Sequence, residues 1–212
     1  MEELTLIQKI TAYAIPIIFA ITVHEAAHGY AAKYFGDLTA QYLGRISLNP
    51  LKHIDPIGTI ILPALLASSG FIFGWAKPVP VNFSNLRNPK KNMMWVALAG
   101  PFSNLLMAIF WTFIAARLQL FPDSSIFFVE LMARVGIQIN LVLMILNMLP
   151  IPPLDGGKVA VSLLPYPWSS HLENLERYGL FIIIFLLISG VLGNILNPLI
   201  YISKSIIFTI FG

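Results

Sequence analysis

Residues Ile10 to Val23 form an almost unbroken apolar run that leads directly into His24-Glu25-Ala26-Ala27-His28. A helix of that composition belongs in a hydrocarbon layer, where ionisable side chains are costly and mark function. On a helix, residues i and i+4 share one face, so His24 and His28 can grip a single Zn²⁺. Glu25 is then left beside the open coordination position, where a general base is needed. So short a pattern also arises by chance. The lesser readings are a buried histidine pair bonding between helices, or ligands for another metal.

Composition closes off several alternatives. With 57% hydrophobic residues, 11% charged residues and a mean hydropathy of +0.78, the chain is no ordinary soluble domain, which carries about a quarter charged residues. It reads as an all-α polytopic membrane protein. The absence of cysteine removes disulfides, thiolate metal sites and cysteine nucleophiles together, leaving His, Asp and Glu as the strong metal ligands. A net charge of +3 does not indicate nucleic acid, because the basic residues flank apolar spans as membrane anchors do. Met1-Glu2-Glu3 lacks a basic leader, so the first span is expected to be retained.

Four long apolar segments predict spanning helices: Ile10–Phe35, Met93–Leu120, Ile126–Leu149 and Tyr178–Phe211. The last is too long for one helix. Gly190, Gly193, Asn194, Asn197 and Pro198 interrupt it, predicting two helices and a tight turn. Ile57–Ile72 is shorter and contains Pro63. Lys33, Arg45, Lys52, Lys77, Arg87, Lys90 and Lys91 fall on both sides of it, whereas the turn near Asp123 is flanked only by Arg117. The positive-inside rule therefore puts 33–91 on the cytoplasmic side, with no net crossing by 57–72. The expected architecture is one bundle of about five to six transmembrane helices with a short extended or β segment near the membrane surface. That segment is Gly74–Asn82, where alternating proline and valine favour an extended edge.

A second constellation, Asn147-Met-Leu-Pro-Ile-Pro-Pro-Leu-Asp155-Gly-Gly, closes the third of these segments. Its prolines stop the helix, and irregular backbone at membrane depth is tolerated where it lines a cavity. Asp155 is expected just past the C-terminal end of its helix, level with His24 and His28 if the two helices run parallel. Alone, Asp155-Gly156-Gly157 also reads as an Asp-initiated turn.

Together these pieces resemble the site-2 proteases, intramembrane zinc metalloproteases. The matched features are His24-Glu25-x-x-His28, Ala99-Gly100-Pro101-x-x-Asn104, and Asn147-x-x-Pro150 followed by Leu154-Asp155-Gly156. Gly74–Asn82 and Asn49–Gly58 resemble the compact prokaryotic branch, and no PDZ insertion or C-terminal nucleotide-binding module is visible. The similarity covers about residues 20–158 and is specific as a combination. It implies that Asp155 is the third Zn²⁺ ligand and that Asn147 helps bind the scissile carbonyl. It further implies a single intramembrane protease domain over 1–212, with its catalytic core at about 9–158 and a C-terminal helical pair at about 171–211.

The implied activity is zinc-dependent endoproteolysis in or near transmembrane segments, with Glu25 moving the proton of the attacking water. The implied setting is a prokaryotic plasma membrane, with the site near the cytoplasmic face. The partners are then the lipid bilayer and a transmembrane protein substrate that must unwind. Pro78, Val79, Pro80, Val81 and Asn82 are expected to clamp its extended backbone. His53, with Asp55, reads as a solvated loop pair or as a gate over the site. His171, near Glu173 and Glu176, reads as a solvated helix start. Asn104 reads as interhelical glue beside Gly100, or as a partner of a metal ligand, and Glu130 pairs with Arg134. The rival function is divalent-metal transport, which would string ligands along a path and often add a His-rich loop. Among four histidines there is only one intramembrane pair, and no repeat is visible.

Overall fold

The computed structural model describes residues 4–61, 76–118 and 127–212. Helix α1 (Leu6–Phe35) starts on a capping box in which Thr5 accepts from the Gln8 N–H and the Gln8 side chain accepts from the Thr5 N–H. It ends at Gly36, whose φ of 112° lies in the left-handed region that favours glycine. A single turn α2 (Thr39–Tyr42) follows. Beyond it come the long helices α3 (Pro89–Leu118) and α4 (Phe127–Asn147), then α5 (Asp155–Leu163), α6 (Trp168–Asn174), α7 (Glu176–Ile188) and α8 (Val191–Phe211).

Among the described residues, α1, α3, α4 and α8 are long and apolar enough to cross a membrane. At 13 residues, α7 is only about 20 Å long, short of a hydrocarbon core of about 30 Å. The described residues thus contain four such helices. The C-terminal segment does divide in two, at Gly190 (φ 75°), while Asn194, Asn197 and Pro198 lie inside α8. Helices in lipid have no hydrophobic force pulling them together, so their contacts use small residues. Ala12 and Ala20 of α1, Ala108 of α3 and Ala133 of α4 are fully buried, and Trp111 of α3 lies against Gly136 of α4. Ile137, Leu141, Leu196 and Ile200 complete a core shared by α3, α4 and α8.

Side-chain contacts also fix helix directions. His28 meets Val96 and His24 meets Asn104, so α1 and α3 are antiparallel. Asn104 meets Asn140 and Trp111 meets Gly136, so α3 and α4 are antiparallel as well. Helices α1 and α4 therefore run parallel, as the depth argument required. Asp155 is not the tail of α4 but the first residue of α5. The prolines turn the chain, and the glycines at 156 and 157 let α5 start in contact with the end of α4. A Cβ on Gly156 would lie 2.5 Å from the Met148 carbonyl carbon, and one on Gly157 would lie 2.5 Å from the Pro152 nitrogen.

No strand forms among the described residues. Residues 76–82 carry neither helix nor ladder: Pro78 and Pro80 have no N–H, and the described residues include no strand to pair with. The Asn82 backbone is nevertheless extended. The reading of 57–72 as a non-crossing excursion falls largely outside the described residues, which include only the π-helical turn Pro56–Ile61.

Candidate metal centre

His24 and His28 lie one turn apart on α1, both buried. The Nδ1 of His24 is 2.6 Å from Asn104 Oδ1, and the Nδ1 of His28 is 2.7 Å from the Val96 carbonyl. Both partners accept, so each imidazole donates from Nδ1 and turns a bare Nε2 inward. Those Nε2 atoms are 3.1 Å apart, and Asp155 Oδ2 lies 3.2 Å from each. Three potential metal-binding atoms thus face one another, and Asp155 Oδ2 is buried with no hydrogen-bond partner. A metal cation at their common centre would satisfy all three at once. Ligands held tetrahedrally at 2.0–2.1 Å from Zn²⁺ are separated by roughly 3.3 Å. The observed spacings match that edge. Two imidazoles, one carboxylate and an open fourth position are the donor set of a catalytic zinc site, so these three side chains could hold the expected Zn²⁺.

The approach of α3 to this centre depends on Gly100. A Cβ there would come within 2.6 Å of His24 Cε1 and Nε2 and would also strike His28 Nε2. Close approach was legible in the sequence. What it serves, room for the two imidazoles, was not.

Glu25 turns to another neighbour. Its Oε2 accepts the Val79 N–H at 2.7 Å, tying the 76–82 run to α1 beside the metal centre. Gly29, one turn further along, makes space for this contact, since a Cβ there would meet Ile46 Cγ1 at 3.0 Å and Val79 Cγ1 at 3.3 Å. Arg45 donates to the carbonyls of Lys77 and Pro78 at 3.0 and 3.2 Å, and the Lys77 N–H donates to the His53 carbonyl at 2.9 Å. At the far end Asn82 N–H donates to Asp37 Oδ2 at 2.8 Å. Asp37 is fully buried. Burial alone would raise its pKa, but hydrogen bonds from Thr39, Asn85 and the Asn82 N–H hold the carboxyl below its ordinary value. Val79 is buried and Val81 packs towards Ala32, Leu86 and Val96, while Pro78 is exposed.

The chain is similar to several known proteins. The profile of peptidase family M50 matches residues 119–190. The protein named "Putative zinc metalloprotease YwhC" from Bacillus subtilis (strain 168) is 35% identical over 202 residues, covering 93% of this chain and 90% of that protein. The chain belongs to peptidase family M50. Rip2 of Mycolicibacterium smegmatis, under the same description, is 30% identical over 194 residues, which are 87% of this chain and 69% of Rip2. MJ0611 of Methanocaldococcus jannaschii, also so described, is 30% identical over 149 residues, 69% and 66% of the two chains. No solved structure matches significantly.

Within this M50 chain, three residues singled out from sequence meet at one point, His24, His28 and Asp155, while Glu25, next to His24 on α1, is bonded to Val79. Asn147 stands apart. Its side-chain amide donates to the Leu143 carbonyl of its own helix at 3.0 Å, and no hydrogen bond joins it to the cluster. His53 is not a solvated loop residue. It is 3% exposed, with Nε2 2.8 Å from the Ser47 carbonyl, because the 44–53 loop folds over it. Asp55 accepts from the N–H groups of Ile57 and Gly58 and caps the turn that follows. His171 is exposed on α6, and Glu130 pairs with Arg134, whose Nε lies 3.1 Å away. Asn104 is more than interhelical glue, since it bonds a candidate ligand directly. Sequence reasoning passed over Asp37, Arg45 and Asn140. Of these, Asn140 had a signal: an amide, two residues after Gln138, in the middle of an apolar span.

Proposed function

We propose that the protein is a zinc-dependent intramembrane endopeptidase that hydrolyses peptide bonds in or near transmembrane segments of membrane proteins. The observation that carries this reading is the convergence of three possible metal ligands, His24, His28 and Asp155, within a group of helices long and apolar enough to span a membrane, with Glu25 next to His24 on α1. Relatives described as zinc metalloproteases support the same chemistry. Zinc held by these residues would supply a Lewis acid that polarises the scissile carbonyl and acidifies water. Glu25 takes the proton of the attacking water and returns it to the departing amine. The Val79 N–H keeps the carboxylate oriented meanwhile. Asn147 is assigned to the scissile carbonyl on the resemblance alone, and it reaches that role by releasing Leu143.

A substrate helix hides its carbonyls in its own hydrogen bonds and must open before it can be cut. The 78–82 run offers it a partner, because the Val81 N–H and the Val79 carbonyl have no partner among the described residues. We place the site near the cytoplasmic face of a prokaryotic plasma membrane, from the charge distribution of residues 33–91.

The deciding experiment reconstitutes the purified protein in liposomes with a fluorescent transmembrane peptide. Zinc-dependent cleavage that disappears in Glu25→Gln, with zinc retained, is the expected result. Zinc flux into the liposomes without cleavage would favour the transporter instead.

A further inference from the structure

We infer that Asn140, which touches no ligand of the metal centre, selects the tautomer of His24 by orienting the side-chain amide of Asn104. The inference rests on the reading of His24 as a metal ligand. Asn104 and Asn140 are both completely buried. An isolated amide between helices could sit either way round, and the two orientations demand opposite tautomers of the imidazole it faces. If Asn104 offered its oxygen, His24 would carry its proton on Nδ1 and keep Nε2 free. If it offered its NH₂ group, the proton would move to Nε2 and block metal binding.

Main-chain carbonyls, which can only accept, decide between the two. Asn140 donates to the Gly136 carbonyl at 2.8 Å, so its Oδ1 must point the other way. That oxygen accepts from Asn104 Nδ2 at 2.9 Å, and the Ala20 carbonyl lies 3.3 Å from the same nitrogen. Asn104 Oδ1 is left facing His24 Nδ1 at 2.6 Å. Polarity therefore runs in one direction from Gly136 through both amides to the imidazole. His28 needs no such chain, because the Val96 carbonyl contacts it directly. Asn140 is thus a positioning residue, and only one of the two histidines depends on it.

The asymmetry supplies the test. Full-length protein is labelled with ¹⁵N-histidine, stripped of zinc and studied in micelles, where NMR reports which ring nitrogen carries the proton in each of four histidines. Zinc affinity is measured in parallel by chelator competition. Asn140→Leu leaves Asn104 only the longer bond to Ala20, so His24 should become a mixture of tautomers and zinc affinity should fall about tenfold. His28 should keep its proton on Nδ1. Asn140→Thr should behave alike, because its shorter side chain can still bond back to the Gly136 carbonyl, as Thr112 does to Ala108. It is too short to reach Asn104. Unchanged His24 protonation in both variants overturns the inference, as does an equal change at His24 and His28. Neither outcome touches the protease reading, since the tautomer is read without zinc or substrate.

Discussion

Replacing Gly100 with alanine adds one methyl group at the point where α3 leans on the metal centre. Built on the existing backbone, that Cβ sits 2.6 Å from two atoms of the His24 ring, whereas carbon atoms in ordinary contact stand 3.5–4.0 Å apart. Something must yield by about 1 Å. A flexible side chain would do so cheaply. These rings cannot, because Asn104 and Val96 hold their far nitrogens at 2.6 and 2.7 Å. Either α3 retreats, breaking those bonds, or the Nε2 atoms leave their 3.1 Å spacing. Overpacking of this kind costs about 1–3 kcal/mol, so zinc affinity should fall roughly fivefold to 150-fold. The assay is chelator competition on purified protein, with bound zinc counted by mass spectrometry. Gly193→Ala is the control, since a Cβ there meets only Asn197 Nδ2 at 3.9 Å. Equal zinc affinity in the Gly100→Ala variant and the control would refute the argument that α3 is pinned against the ligands.

Alanine at His24, His28 or Asp155 should remove zinc, with Asp155→Ala the weakest of the three; full zinc content after Asp155→Ala would mean the third ligand lies elsewhere. Gly29→Ala pushes against Ile46 and Val79, so it should lower cleavage several-fold and leave zinc content unchanged, as peptide assays and metal analysis would report. Asp37 has a depressed pKa in the folded state, so its stabilising contribution is complete above about pH 4 and drains away as pH falls through the folded value. The melting temperature difference between the native protein and Asp37→Asn should therefore shrink between pH 6 and pH 3. A gap that widens instead would show that the carboxyl does not hold the Asn82 end of the run.

Spacing and apolarity alone set out the long apolar helices, the shared face of His24 and His28, a break near Gly190 and a proline stop near Leu149, two residues past the observed end at Asn147. These are local properties: one turn of helix, one left-handed glycine, a few prolines. They also made α1 and α4 parallel once α3 was taken to lie between them. Contacts between distant residues could not be read that way. Glu25 and Val79 are 54 positions apart, and His24 and Asn104 are 80 apart. Whether an amide in a span bonds a ligand or merely another helix depends on the rotation of two helices about their axes, which no period in the chain encodes. His53 lies in polar, loop-like sequence and reads as solvated, and Asp37 gives no signal at all, yet both are buried because the 36–53 and 76–85 segments fold over each other. Asp155 was assigned from sequence to the end of one helix and became the start of the next, since its two glycines allow α5 to begin against the Met148 and Pro152 backbone. The chemistry of the centre was thus written in residue types. Its geometry, two imidazole nitrogens and a carboxylate oxygen 3.1–3.2 Å apart, came only from packing α1, α3 and α5 together.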